Sequence, residues 1–478
     1  MDLALILFPL AMALAAFATP SNARRPWLLP FAGFIHLALT LWTLAQPAVP
    51  VLAAPWLALD PLGKLVLLLI SLLFFVVSFY LVSFLRLRGD RPNRVFCACI
   101  LACQGTLTLV TWSNHLGLMW VGIETTALAT ASLIYFHHNP RSIEAAWKYL
   151  LIGSVGIALS LLGSFFLAYS SLHSGTHTSL LYTDLLSGAS HLSKPWLHAA
   201  FVMMLVGYGT KMGLAPMHTW KPDAYGEAPA AVGALLAGGV TSAAFLCILR
   251  IYHLCAAAGE TAFVAPLLVF MGLLSMIVAG IFMVGQQDYK RMLAYSSVEH
   301  MGILVLGIGI GGPALFGALL HMINNGLAKC VMFLSAGNIH RAYASTSTDV
   351  VRGAMRRVPA SAALFLAAFL AVTGSPPFGP FISEFTILNA AFSAGRYLVG
   401  ALFLLFLLVV FIGMGATVLN VVQGKPSRDA PRTPFRENAL LLAPPILCIS
   451  LVLLLGLHIP APLLSLLNNA ARFLETAP

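Results

Sequence analysis

The chain has 478 residues, 59% of them hydrophobic and 9% charged, with a mean hydropathy of +0.91. So few charges cannot clothe a water-facing surface, which excludes an ordinary soluble protein and leaves an all-α polytopic membrane protein. The balance of 26 basic against 16 acidic residues matters by where the charges fall, and nucleic acid is excluded as a partner.

The first stretch, MDLALILFPLAMALAAFATPSNA, is apolar and ends in small residues. It has no basic residues ahead of the apolar run, so it reads as a retained first helix rather than a leader. Taking apolar runs of about twenty residues as crossings, fourteen follow in order. They lie at roughly 3–19, 27–46, 62–85, 95–112, 114–136, 145–170, 197–220, 228–252, 262–285, 291–311, 313–338, 359–391, 397–422 and 439–458. The twelfth is over-long and broken. Cys97, Cys99 and Cys103 share the fourth run without a zinc spacing and read as packing residues.

Loops on the cytoplasmic side carry the lysine and arginine excess. With the N-terminus outside, the loops that alternate to the inside hold Arg24, Arg25, Arg86, Arg88, Arg91, Arg94, Arg141, Lys148, Lys221, Lys290, Arg291, Arg341, Arg352, Arg356, Arg357, Lys425, Arg428, Arg432 and Arg436. The outside holds Lys194, Arg250, Arg396 and Arg472. Both termini are therefore expected outside. Lys64, Lys211 and Lys329 remain within apolar runs, and Lys64 stands close enough to a run's start to snorkel.

An ionisable group at mid-membrane costs about 2.5–3.5 kcal/mol even on the lenient insertion scale, so Lys211 and Lys329 require a use. Glu124 and Glu384 lie equally deep, and Glu299, with His300 beside it, is about two turns into the tenth run. Glu299 admits two readings, a buried relay acid or a solvated helix end. Glu124 precedes Lys211 by 87 residues and Glu299 precedes Glu384 by 85. In both cases the second group stands beside a proline break, at Pro216 and at Pro376, Pro377 and Pro380. Two repeats, each with a discontinuous helix, produce this layout, and the odd number of runs between the breaks makes them inverted. His321 and Lys329 are two turns apart on the eleventh run and face one stripe.

These residue types suit a proton relay. Burial opposes the charged form of a lysine and a nearby carboxylate restores it, so movement of Glu124 relative to Lys211 would switch the lysine between holding and releasing a proton.

Four ordered stretches, TKMGLAPMHTWKPDAYGEAP, DYKRMLAYSSVEHMG, NNGLAKCVMFLSAGN and GSPPFGPFISEF, resemble the antiporter-like membrane subunits of respiratory complex I and its relatives, over about residues 55 to 425. SSVEHMG and LSAGN are most similar to the component F type subunit of membrane-bound group 4 hydrogenases such as hydrogenase 4. The resemblance implies two inverted five-helix repeats within four regions. These are 1–94 with three helices, 95–253 with helices 4–8, 254–425 with helices 9–13, and 426–478 with helix 14 and a short tail. It also implies relay roles for Glu124, Lys211, His300, Lys329 and Glu384, with His321 available beside them and His218, Asp223 and Glu299 in support.

The chain departs from that pattern in its centre. Where relatives carry an eighth-helix lysine or histidine, AGGVTSAAF offers only Thr241 and Ser242, so the link from Lys211 onward needs water, a hydroxyl or His321. Lys221 occupies a usually apolar position, Tyr225 stands for a histidine, and so does Asn325.

The expected function is proton translocation by a non-catalytic subunit of a redox complex in a bacterial or archaeal cytoplasmic membrane. Its partners would be other membrane subunits and lipid. No cysteine quartet, haem motif or phosphate loop is present, so no cofactor or metal is expected. The alternatives are a subunit of a multisubunit sodium/proton antiporter, moving sodium as well as protons, and a non-conducting structural arm.

Overall fold

The computed structural model describes residues 2–46, 55–89, 91–173, 179–426, 431 and 433–475. Among these residues the fold is α-helical, with extended chain only in isolated bridges such as Leu57 with Ser113.

Six helices come first: α1 (Asp2–Ala18), α2 (Leu28–Ala45), α3 (Pro61–Arg86), α4 (Arg94–Trp112), α5 (Leu116–Ile134) and α6 (Pro140–His173). A short α7 (Tyr182–Ser187) precedes the first broken crossing, formed by α8 (Lys194–Met212) and α9 (Lys221–Glu227). The next crossing is α10 (Ala230–Leu235) continued by α11 (Thr241–Ala257), with a π-helical turn over Leu236–Val240 between them. Then come α12 (Thr261–Met283), α13 (Tyr289–Ile310) and α14 (Pro313–Tyr343). The second broken crossing is α15 (Pro359–Val372) with α16 (Gly379–Ser393), followed by α17 (Tyr397–Gln423), α18 (Ala439–Leu457) and α19 (Ala461–Glu475).

Local chemistry sets the ends. Asp60 caps α3 by accepting from the Gly63 amide at 2.6 Å, and Asp288 caps α13 through the Lys290 and Arg291 amides. Proline opens α3, α14 and α15, where its missing N–H costs nothing. Gly213 ends α8 at φ +81°, a conformation that a side chain would strain.

Eleven helices are long and apolar enough to cross a membrane, and Leu3–Ala18 and Pro359–Val372 are shorter apolar helices. With the two broken crossings, this is the expected set. The Ala230–Ala257 and Tyr289–Ile310 spans are wholly buried and α14 nearly so, which makes them the centre. Leu14, Phe34, Leu151, Val155, Ile281 and Leu398 are each more than 60% exposed, so α1, α2, α6, α12 and α17 turn apolar faces outward.

Small residues permit the closest approaches. A Cβ at Gly207 would lie 2.6 Å from the Gly156 carbonyl oxygen, and one at Gly302 2.7 Å from that of Gly272, so α8 packs on α6 and α13 on α12 at backbone contact.

The charge contacts keep the two assigned sides apart. On one, Arg250 meets Asp60 and Lys194 meets Glu260; on the other, Lys148 and Arg291 meet Asp223, Arg88 meets His137, and Arg341 meets the Leu87 carbonyl. Arg428 and Arg432 lie outside the described residues.

Some expectations are corrected. Arg25, Lys221, Arg250 and Lys290, read as loop charges, are 1%, 0%, 2% and 4% exposed, because neighbouring segments close over them. The tail after the fourteenth crossing contains α19, an amphipathic helix whose Leu467, Ala470, Ala471 and Leu474 are buried, packed against α14, α3 and α11.

Candidate functional site

The break between α8 and α9 is held by side chains. The Trp220 indole donates to the Thr210 carbonyl at 2.8 Å, and the Ala215 amide donates to Ser275 Oγ at 3.0 Å. The Ala215–Pro216 peptide is cis, as is Pro376–Pro377 in the second break. Freed polar groups are thus satisfied without closing the helix, and Lys211 sits in the last turn before the gap.

Lys211 is fully buried, and its Nζ donates to Tyr149 Oη on α6 at 2.7 Å. Tyr149 Oη also bonds Thr130 Oγ1 at 2.6 Å. Glu124 on α5 accepts from Ser154 Oγ, also on α6, at 2.8 Å, while its Oε2 has no partner in the protein. Among the described residues no ion pair joins Glu124 to Lys211. Both are tied to α6 instead, at positions five residues apart.

In the second half, α13 carries Ser296, Ser297, Glu299 and His300 towards the centre. Lys329 on α14 is fully buried and donates to Ser296 Oγ. His321, eight residues earlier on the same helix, pairs with His300 one turn along α13, with Nε2 and Nδ1 2.9 Å apart. The other ring nitrogen of His321 lies 2.9 Å from Ser383 Oγ on α16. His321 therefore bridges His300 on α13 and Ser383 on α16, the helix that carries Glu384.

Glu384 follows the second break and is 5% exposed, with Oε1 unpartnered. Glu299 is 1% exposed with Oε2 unpartnered, which decides against the solvated helix end. Buried polar atoms of this kind ordinarily take water.

The supporting residues divide. Asp223 is a surface node, accepting from Lys148 at 2.9 Å and Arg291 at 3.0 Å, so it pins α9 to α6 and α13. His218 lies in the break beside the stacked Phe282 and Tyr295 rings, its Nδ1 unpartnered.

The hydroxyls of Tyr149, Ser154, Ser296, Ser297 and Ser383 escaped sequence reasoning, and so did one charged residue. Lys221 Nζ donates to Ser297 Oγ at 3.0 Å, beside the serine that receives Lys329. A lysine followed by Pro-Asp in a polar stretch carries the signal of a loop. Its unusual identity against the resembled pattern was the available clue.

His300, His321 and Glu384 each bring one ligand atom within 4.8 Å of the others. Two imidazoles and a carboxylate suit a zinc-like cation better than sodium. No sequence spacing signals the trio, because its members come from α13, α14 and α16.

Comparison with known proteins agrees with this architecture. The family described as NADH:quinone oxidoreductase/Mrp antiporter, transmembrane, matches residues 113–420. The hydrogenase-4 component F homolog of Methylacidiphilum infernorum is 32% identical over 470 residues, covering 96% of both chains. NADH-quinone oxidoreductase subunit N of Desulforudis audaxviator is 31% identical over 79% of this chain and 75% of its own. A chain of the membrane-bound sulfane sulfur reductase, an archaeal respiratory membrane complex, superposes with a TM-score of 0.89 at 22% identity, covering 100% of this chain and 98% of that one.

Proposed function

Since this chain belongs to the NADH:quinone oxidoreductase/Mrp antiporter transmembrane family, we propose that it moves protons as the antiporter-like subunit of a membrane-bound redox complex of the hydrogenase-4 or complex I type. The observation that carries the reading is a file of ionisable side chains, the half-buried Glu124 and the buried Lys211, Lys329, His300, His321 and Glu384, which form no ion pairs with one another among the described residues and, where they hydrogen-bond, do so to hydroxyls and imidazoles. Full ion pairing would fix the protons. Hydroxyl and imidazole partners let them pass, because each both gives and takes a proton.

In this reading residues 95–253 and 254–425 form two inverted repeats, each supplying half the path, and Glu124 and Glu384 stand at its ends. Tyr149 and Ser154 couple Glu124 to Lys211 through α6. The electrons belong to partner subunits, and the exposed apolar helix faces meet those neighbours and lipid. The setting is the cytoplasmic membrane of a bacterium or archaeon, with both termini outside. The abundance of nitrogen donors, His300, His321, Lys211 and Lys329, favours protons over sodium, which prefers oxygen ligands. A structural arm would have no reason to retain them at about 2.5–3.5 kcal/mol each.

The test is proton translocation by vesicles containing the whole complex, comparing wild type with Lys211→Ala, with assembly and redox turnover measured in the same samples. Loss of translocation in an assembled complex is the expected result. Unchanged translocation and turnover would refute the relay and favour the structural arm.

A further inference from the structure

Two buried ammonium groups, Lys211 on Tyr149 and Lys329 on Ser296, stand on either side of the centre, and the hydroxyls expected between them are engaged elsewhere. Thr241 Oγ1 donates to the Ala237 carbonyl at 2.7 Å, and Ser242 Oγ to that of Gly238 at 2.6 Å, each within its own helix. His321 is turned to His300 and Ser383.

Lys221 reaches from the turn that ends α8 to α13. It opens α9, and its side chain folds back across the turn that ends α8. A Cβ placed on Gly213 would lie 2.5 Å from Lys221 Cδ and Cε and 2.9 Å from Nζ. The ammonium therefore rests against a turn two residues beyond Lys211, in room that exists because Gly213 has no side chain. On its far side Nζ donates to Ser297 Oγ at 3.0 Å, and the preceding serine, Ser296, accepts from Lys329. Two consecutive hydroxyls on α13 thus each receive a lysine from a different helix.

A buried cation kept for structure is held by a carboxylate or by a set of carbonyls, as Arg250 is by Asp60 and Lys290 by the Gly226 and Ala228 carbonyls. Lys221 is fully buried, and among the described residues it forms no ion pair. Its neighbours are the Ser297 hydroxyl, the Ser297 carbonyl at the long distance of 3.5 Å, and the Tyr225 ring, 5.7 Å from Nζ. An apolar side chain would occupy the position at lower cost.

We propose that Lys221 is the central proton carrier of this chain, receiving a proton from the Lys211 side of the break and passing it through the Ser297 and Ser296 hydroxyls towards Lys329. Each step moves one proton and no electrons. An ammonium gives up H⁺ and becomes an amine, a hydroxyl takes that proton on its oxygen as it releases its own, and the next amine becomes an ammonium. The inference rests on the proton-carrying reading above.

The experiment uses the complete complex in vesicles, with Lys211→Ala as the control for the reading as a whole. Lys221→Gln keeps a donor to Ser297 but cannot titrate, and Lys221→Arg keeps the charge but cannot release it. Both are expected to lower proton translocation about 10²-fold, the lower end of what a positioned acid–base group supplies. Lys221→His restores a titratable nitrogen. It is expected to recover translocation partly, with the pH profile displaced to lower pH, since imidazole titrates near 6.5 and an amine near 10.4. The titratable groups around this position are His218 and Tyr225 beside the break, His300 on α13 and Lys329 on α14, and all are unchanged in these variants.

Wild-type translocation in the assembled Gln or Arg variant, with Lys211→Ala inactive, overturns the role of Lys221 and leaves the relay reading standing. If Lys211→Ala also translocates normally, the reading itself fails. If the Gln and Arg variants do not assemble, the histidine variant decides: a displaced pH profile supports the carrier, and an undisplaced one overturns it.

Discussion

Replacing Arg250 with methionine tests how the α3–α4 corner against α11 is held. The guanidinium is 2% exposed; Nε donates to Asp60 Oδ2 at 2.8 Å, Nη1 to the Val110 and Ser113 carbonyls at 3.1 and 3.0 Å, and Nη2 to the Thr111 carbonyl at 2.9 Å. One side chain thus neutralises the cap of α3 and satisfies the final carbonyls of α4, where a cation also meets the negative end of the helix dipole. Removing one partner of a buried pair costs about 3–5 kcal/mol, because the other charge stays buried. Asp60 is 13% exposed and keeps its Gly63 amide, so the lower half of that range, about 3–4 kcal/mol, is expected. The assay is a double-mutant cycle on the purified complex, comparing the unfolding midpoints of Arg250→Met, Asp60→Asn and the double variant. The double variant should be less damaged than the sum of the two single variants, by about 1.5 kcal/mol or more. Strict additivity would refute the idea that the pair, rather than the carbonyl contacts, holds this corner.

Two further outcomes follow from packing and charge. Gly302→Val should abolish assembly of the chain into membranes, because its Cβ would lie 2.7 Å from the Gly272 carbonyl oxygen, whereas Gly153→Ala, with nothing within 4 Å of its Cβ, should assemble as wild type; immunoblots of membrane fractions distinguish them. The Lys194 ammonium and His198 ring hold the Glu260 carboxyl below its ordinary 4.5, so the unfolded chain binds that proton more readily than the folded one. The stability it contributes is present above about pH 4.5 and lost as pH falls through the depressed value, and Glu260→Gln should flatten the melting temperature across that acid window.

Much of this architecture is legible because hydrocarbon punishes error. A run of apolar residues has one economical use, and a charge inside it advertises itself, which is how Glu124, Lys211, Lys329 and Glu384 stand out from the sequence alone. Lys221, Arg250 and Lys290 do not, because their burial is a product of tertiary contact. Lys290 sits at a helix start and looks solvated, yet its Nζ donates to the Gly226 and Ala228 carbonyls of another element. The Ser296–Ser297 pair is invisible for a different reason. Helical serines commonly bond their own backbone, as Ser242 does, so that two of them receive lysines from separate helices emerges only with the fold. The helix α19 was readable from its 467, 470, 471 and 474 stripe but is too polar for a search for crossings.

The π-helical turn at Leu236–Val240 gives the central crossing a property of phase. Such a turn holds one residue more than an α-turn would, and each residue rotates a helix by about 100°. Everything beyond it, including Arg250 towards Asp60 and His253 towards Tyr182, is aimed by that surplus residue. Gly238 keeps the widened turn against α14, where a Cβ would lie 3.2 Å from the Gly326 carbonyl oxygen. The number of residues between Gly233 and Arg250 therefore acts as a dial: a single deletion there would swing the Arg250 anchor out of reach while leaving every named side chain in the sequence.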